Sequence, residues 1–525
     1  MTDQIGLPRR FIVLGIVLPI AALVGYLLVS PDFISVAFFI GLATLLLMPV
    51  LLRWHHPLLV FSWNLPMIVF FLPGAPPLWM VLALLSLGIT VLGAGLNKEQ
   101  KLTYVPVMNW AMLVWVLVIL FTMKTTGAGF GLRSLGGSIY GGKKYFFILL
   151  AVVAFFALST QRVPMQHANG YLLAFVVASL ATVLVNLIYS LGPAFWKLYY
   201  VFPVDFAMSQ ATEDYSWDPT STRLGRIGGF AVGGAAAFSF MMARYGVAGI
   251  FDWTKPWRLL VFLAIVAIST LGGFRSSVIG LGVLFALQFL FEGLHRTRLL
   301  IVLLVTGLLG LAMLVPFASK LPLSTQRSLS ILPLDLHPAV RMDAASSTEW
   351  RVRMWQVLWP EIPKYFWVGK GFTASATDYY LANESMKRGL SPDFEGLLIA
   401  GDYHSGPLSL ILPFGVWGVL AFLFLIGAGF RVLWNNYRHG DPALRKVNVF
   451  LLCSFIAKIV MFLGVFGAIS GDFVAFAGLI GMSIAINGGE CKARQEADPK
   501  PEPQPASAPM PRPAPFFPGR GLARR

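Results

Sequence analysis

The sequence predicts an all-α polytopic membrane protein, and three observations carry that prediction. Apolar runs of about 20 residues recur from end to end, each long enough to cross a hydrocarbon core. Hydrophobic residues make up 57% of the 525 and charged residues only 12%, with a mean hydropathy of +0.73. A soluble domain carries about twice that charged fraction. The connections between the runs also alternate in their content of Lys and Arg, as expected of a multi-pass chain. A soluble globular fold is excluded.

Run lengths predict about fourteen transmembrane helices. They lie near 11–29, 33–52, 57–73, 78–95, 104–123, 144–160, 169–190, 228–247, 258–271, 276–292, 299–316, 406–429, 447–468 and 471–487. The first follows Arg9 and Arg10 and has no small-residue cleavage site after it, so it reads as a retained helix. One set of connections is basic: Arg9-Arg10, "RWHH" (53–56), "NKEQK" (97–101), "QR" (161–162), "HRTR" (295–298) and "RVLWNNYRHGDPALRK" (431–446). The positive-inside rule assigns these, and both termini, to the cytoplasm, with a net charge of about +13 on that side against about +2 on the other.

The other face holds three sizeable connections, at 124–143, 191–227 and 317–405. The chain thus divides into a bundle over 1–316, a long outer loop over 317–405 between helices 11 and 12, and closing helices over 406–487. The tail over 488–525, with "PKPEPQPASAPMPRPAPFFPG", is Pro-rich and low in complexity, and is expected to be disordered or polyproline-like.

The net charge of +16 is explained by cytoplasmic loops, so no nucleic-acid partner is expected. Two cysteines, Cys453 and Cys491, cannot build a disulfide framework or a Cys-rich metal centre.

Candidate chemistry concentrates on the outer face. Of seven histidines, this topology leaves only His337 and His404 there. His337 precedes a proline in mid-loop and reads as a surface residue. His404 stands just before the apolar run from 406, at the membrane boundary. A lone His is more often structural than catalytic. If it acts, its ordinary pKa near 6.5 suits a base or proton carrier. No ligand set at zinc spacing surrounds it, so neither a metal nor a cofactor is expected.

Arg275, in "STLGGFRSSVIGLG", lies between two apolar runs too close together to leave a real loop. It fits two readings, an interfacial arginine snorkelling to headgroups or a fixed phosphate binder. Arg223 and Arg226 in "STRLGRIGGFAVGGAAAF" share a face if the helix has begun there, and Gly229 and Gly233 have the spacing of close helix packing. In the long loop, "SSTEWRVRMWQVLWPEIPKYF" reads as a helix with Ser346 and Glu349 at capping-box spacing and Pro360 near its end. Trp350, Met354, Val357 and Leu358 form its apolar stripe. Arg351 and Arg353 flank that stripe about 160° apart, so one is expected at a site and the other toward solvent or a carboxylate. Lys458, inside a span, is a lesser candidate, and Asp402, Tyr403, Lys143 and Lys144 are weaker.

Taken in order, "FRSS", the R-x-x-x-W of "RVRMW", "VGKGF" and "YHSGPLSLILPFGVWGVL" form a constellation. It resembles the O-antigen ligase and O-antigen polymerase superfamily over about 220 to 520. The resemblance implies transfer of a glycan from a polyprenyl-diphosphate carrier to a hydroxyl of a glycan, lipid or protein acceptor, on the periplasmic side of a bacterial inner membrane. It implies His404 as general base, and Arg275, Arg351 and one of Arg223 or Arg226 as diphosphate binders. Other polysaccharide-assembly proteins would be its natural partners. The alternative is a lipid-linked oligosaccharide flippase or other polysaccharide transporter. That would line a central cavity with charge and would not need an outer loop of about 90 residues.

Overall fold

The computed structural model describes Gly25 and residues 33–72, 74–97, 102–128, 139–140, 142–205, 226–392 and 394–493. The expected first span (apart from Gly25), Arg223 and most of the tail lie outside them. The described chain is helical apart from one short strand pair and an isolated bridge. Helices dominate because a backbone in hydrocarbon must pair its polar groups within its own segment.

The first helices are α1 (Phe33–Ser62), α2 (Leu78–Leu96) and α3 (Pro106–Thr126). After β1 (Ile139–Tyr140) come α4 (Gly142–Ser159) and α5 (Ala168–Val177), which passes through a 3-10 turn into α6 (Thr182–Leu191). Next are α7 (Gly228–Ile250), α8 (Trp257–Thr270), α9 (Arg275–Phe291) and α10 (Arg298–Leu314). The long loop holds α11 (Leu323–Ser328), α12 (Pro338–Leu358), α13 (Ile362–Tyr365), β2 (Ala374–Ser375), α14 (Ala376–Lys387) and α15 (Glu395–Ala400). The chain closes with α16 (Gly406–His439), α17 (Arg445–Gly464) and α18 (Ile469–Asn487). Among the described residues nine helical stretches are long and apolar enough to cross a membrane, and α8 and α9 are shorter apolar helices.

The two ends of α4 meet different segments of the chain. Near its start, Lys144 Nζ donates to the Gly401 carbonyl at 2.9 Å, and Ile139 and Tyr140 pair antiparallel with Ser375 and Ala374. Near its finish, the Leu158 carbonyl meets His56 Nε2 at 3.0 Å, and Gln161 approaches His55.

One expectation fails at that second end. "RWHH" is not a connection but the interior of α1, and the chain leaves the helix after Ser62 instead of spanning 57–73. Its two histidines are buried and partnered: His55 Nδ1 lies 2.8 Å from Ser86 Oγ and His56 Nε2 3.0 Å from the Leu158 carbonyl. A satisfied buried polar group is compatible with a helix interior. The expected close packing at Gly229 and Gly233 is present, since a methyl group there would fall 2.4 Å from the Thr182 carbonyl and 2.4 Å from Val183 respectively.

The expected span 406–429 is broken. Gly415 has φ +64 and ψ −160 inside α16, two residues after Pro413. In a straight helix Gly406 and Phe422 would stand about 24 Å apart. Here both meet Phe462: a methyl group on Gly406 would fall 2.8 Å from the Phe462 ring, and the Phe422 and Phe462 ring centroids are 4.8 Å apart. The break is repaired from the long loop. Val416 N donates to the Phe366 carbonyl at 2.7 Å, Lys370 N to Leu412 at 2.7 Å and Gly371 N to Pro413 at 3.1 Å. The strap that does this, residues 366–371 including most of "VGKGF", is held in turn by Phe372 N donating to Tyr145 Oη at 2.9 Å and by edge-on packing of the Phe372 ring against Tyr145 and Phe414.

Gly369 has φ +79, and a methyl group there would sit 2.3 Å from the Pro413 carbonyl oxygen. Gly369→Ala should therefore destabilise the protein by roughly 1–3 kcal/mol from backbone strain alone, read as a lowered melting temperature in detergent. An unchanged melting temperature would show that the strap does not grip the broken helix.

Candidate functional site

Four arginines converge from four separate elements. Arg226 sits just ahead of α7, and Arg275 opens α9 after a turn in which Gly273 has φ +76. Arg327 lies in α11 and Arg351 in α12. Arg275 Nη2 donates to Thr348 Oγ1 of α12 at 3.2 Å. Arg226 lies 5.7 Å from the Phe274 ring centroid and 4.0 Å from Asp343 of α12. Arg327 is 2% exposed and donates to the Asp343 carboxylate and to the Gly273 carbonyl.

Asp343 acts on Arg226 against the charges of Arg327, Arg351 and Arg275. Four guanidinium groups are thus gathered around the Asp343 carboxylate. Burial lowers the Arg226 pKa to about 10; Arg327 adds to the drop and Asp343 opposes it. Burial and then Arg327 lower Arg351. Guanidinium starts so high that Arg226 stays protonated at neutral pH. Such a concentration of fixed guanidinium donors is suited to a diphosphate, which offers bidentate oxygens and compensating charge.

His404 stands beside this set, brought there by α12. Its ring packs edge-on to Trp350 at 5.3 Å between centroids and against Phe466 at 5.2 Å. Trp355 Nε1 donates to the Tyr403 carbonyl at 3.1 Å, so α12 fixes both the arginine set and the histidine segment. His404 has φ +46, a left-handed conformation that only one other described non-glycine residue, Ala75, adopts. Such conformations cost about 1–3 kcal/mol and persist where surrounding contacts impose them. Burial pushes the His404 pKa below 6.5, with Asp402 opposing and Arg351 and Lys144 adding to the fall. The imidazole is thus neutral at pH 7, and its buried Nδ1 has no hydrogen-bond partner. Among the described residues no group of three His, Cys, Asp or Glu side chains is placed to hold a metal ion.

The structure brings together Arg226, Arg275, Arg351 and His404. It leaves Arg353 out: that side chain is 57% exposed and lies 4.0 Å from Glu349. Lys458 pairs with Asp472 at the start of α18. The expected capping box at Ser346 and Glu349 does not form, because α12 begins about two turns earlier at Pro338, with His337 Nδ1 accepting from Ala339 N at 3.3 Å. Ser346 Oγ instead donates to the Asp343 carbonyl at 3.1 Å. Of the expected apolar stripe, Met354 and Leu358 are buried and Val357 is exposed.

That misplaced start concealed Asp343. It lies seven residues before Trp350, on the same helical face, so a helix begun at Pro338 would have put a carboxylate on the apolar stripe. Arg327, in a six-residue helix, carries no comparable signal.

Residues 259–423 match the family model of the O-antigen ligases. Over these residues the chain is similar to the O-antigen ligase domain. No curated protein matches the chain. The matched stretch of the O-antigen ligase domain includes Arg275, Arg327, Asp343, Arg351 and His404, whereas Arg226 reaches the site from outside it.

A left-handed residue with a Cβ carries strain that glycine does not, by about 1–2 kcal/mol. His404→Gly should accordingly melt above His404→Ala. Equal melting temperatures would show that the left-handed backbone is not imposed by the fold.

Proposed function

We propose that this site moves an oligo- or polysaccharide from a polyprenyl diphosphate to an acceptor hydroxyl, as a polymerase or ligase. The observation that carries the reading is the meeting of the arginine set with a neutral histidine across one helix, α12. Arg226, Arg275 and Arg351 would hold the diphosphate, and His404 would serve as general base.

The reaction needs two things from the protein. The acceptor hydroxyl must lose its proton as its oxygen bonds to the anomeric carbon, and a neutral imidazole can take that proton. The bond from that carbon to the diphosphate oxygen breaks at the same time, and the leaving diphosphate gains one negative charge. Guanidinium groups already in place stabilise that charge without reorganising at the moment of reaction. The gathering of Arg226, Arg275 and Arg351 suits this demand. The acceptor is a glycan, a lipid or a protein, and all three present the same hydroxyl chemistry. The distribution of basic connections supports a periplasmic site in a bacterial inner membrane with cytoplasmic termini.

Cells carrying wild-type protein, His404→Ala or Arg275→Ala are compared for glycan product and lipid-linked donor, with protein levels checked by immunoblot. Removing a general base costs about 100-fold or more, so product should vanish and donor accumulate outside. Full product from His404→Ala would sink the mechanism, and donor held on the inner face would identify a transporter.

Arg351→Ala should abolish product while Arg353→Ala leaves it unchanged; equal effects would contradict the assignment of Arg353 to solvent. The pH profile supplies a further check. A base with its pKa below 6.5 is neutral above that value, so transfer should hold through pH 7 and fall only at lower pH. An acid limb above 6.5 would exclude His404 as that base.

A further inference from the structure

Arg327 and Asp343 form an ion pair in which each residue is 2% exposed. Its place in the fold is unusual for a structural pair. Arg327 Nε donates to Asp343 Oδ2 of α12, and its Nη1 donates to the carbonyl of Gly273, two residues before Arg275. The neighbouring Ser328 Oγ donates to the Thr270 carbonyl at 2.7 Å. The short helix α11 is therefore stapled at once to the α8–α9 turn that ends on Arg275 and to the helix that carries Arg351. The second oxygen of Asp343 faces Arg226 at 4.0 Å. One carboxylate thus meets both a sealed guanidinium and a partly exposed one.

A buried ion pair is a poor source of net stability, because desolvation offsets much of its attraction. Arg327 is also too enclosed to touch a ligand. Its geometry instead relates three groups that must hold fixed spacing if they are to grip one diphosphate. We propose that the Arg327–Asp343 pair positions the anion site: Arg327 sets the Arg275 turn against α12, and Asp343 aims Arg226. Both are positioning residues, and the inference rests on the diphosphate reading above.

The test is a double-mutant cycle on the full chain in lipid nanodiscs, with farnesyl diphosphate as the probe. If Asp343 acts through Arg226, Asp343→Asn should weaken binding about tenfold when Arg226 is present and under about twofold in an Arg226→Ala background. Interaction between paired sites commonly has that size. Independent, multiplicative losses would overturn the proposal.

Asp343→Asn leaves a buried Arg327 charge without its carboxylate and threatens folding, so a second variant removes both charges. Arg327→Met/Asp343→Leu should keep a wild-type melting temperature, as apolar replacements of buried pairs commonly do, yet bind the probe about tenfold more weakly. Wild-type affinity in that variant would show the pair to be filler. The two layers separate cleanly. A wild-type protein that does not bind farnesyl diphosphate overturns the diphosphate reading and the positioning role with it. Wild-type binding with independent losses overturns the positioning role alone.

Discussion

The backbone between Leu412 and Val416 cannot pair with itself. Pro413 has no N–H to give, and the left-handed Gly415 ends the regular ladder of α16. Unpaired backbone groups in a buried position cost about 1–3 kcal/mol each. The strap over 366–371 removes that cost with three backbone hydrogen bonds. Much else depends on this repair. The strap leads directly from α12 and α13, so pairing it with α16 seats the long loop on the bundle. The same break turns the first stretch of α16 so that Gly406, two residues beyond His404, packs on Phe462.

Once the loop is seated, α12 works as a two-sided bracket. Trp350 and Trp355 hold the segment Tyr403–His404, while Asp343, Thr348 and Arg351 meet the arginines arriving from α7, α9 and α11. Mutual repulsion among four guanidinium groups favours their separation, and Asp343 relieves only part of it. The fold therefore holds like charges together through hydrogen bonds to fixed backbone and side-chain oxygens, at Gly273, Thr348 and Asp343. An incoming anion would complete the neutralisation. Burial lowers the His404 pKa first, and Arg351 and Lys144 add to the fall by disfavouring a positive charge on the ring.

Several parts of the site were legible in the sequence because each is anomalous in its own neighbourhood. An arginine between two apolar runs, a histidine at the edge of a span, and two arginines about 160° apart on a helix all stand out without any partner. Other parts were hidden by context. "RWHH" looked like a loop because isolated His and Arg in an apolar chain suggest water, whereas Ser86 and Leu158 supply what water would. Ser346 looked like a cap because capping spacing is a short pattern that also occurs inside helices, and the true start at His337-Pro338 lay outside that pattern.

By itself, then, the sequence determined that the chain is a multi-pass helical membrane protein and which charged groups are anomalous in their apolar surroundings. Run length against bilayer thickness and the partition of Lys and Arg are local properties, readable one segment at a time. Only the tertiary structure decided that Arg327 and Asp343 join the site, that Arg353 does not, and that α16 breaks and is mended by a distant strap. Each of these depends on pairing between groups on separate elements, such as Arg327 with Gly273 or Val416 with Phe366. Burial makes such pairing obligatory, but only packing selects the partner.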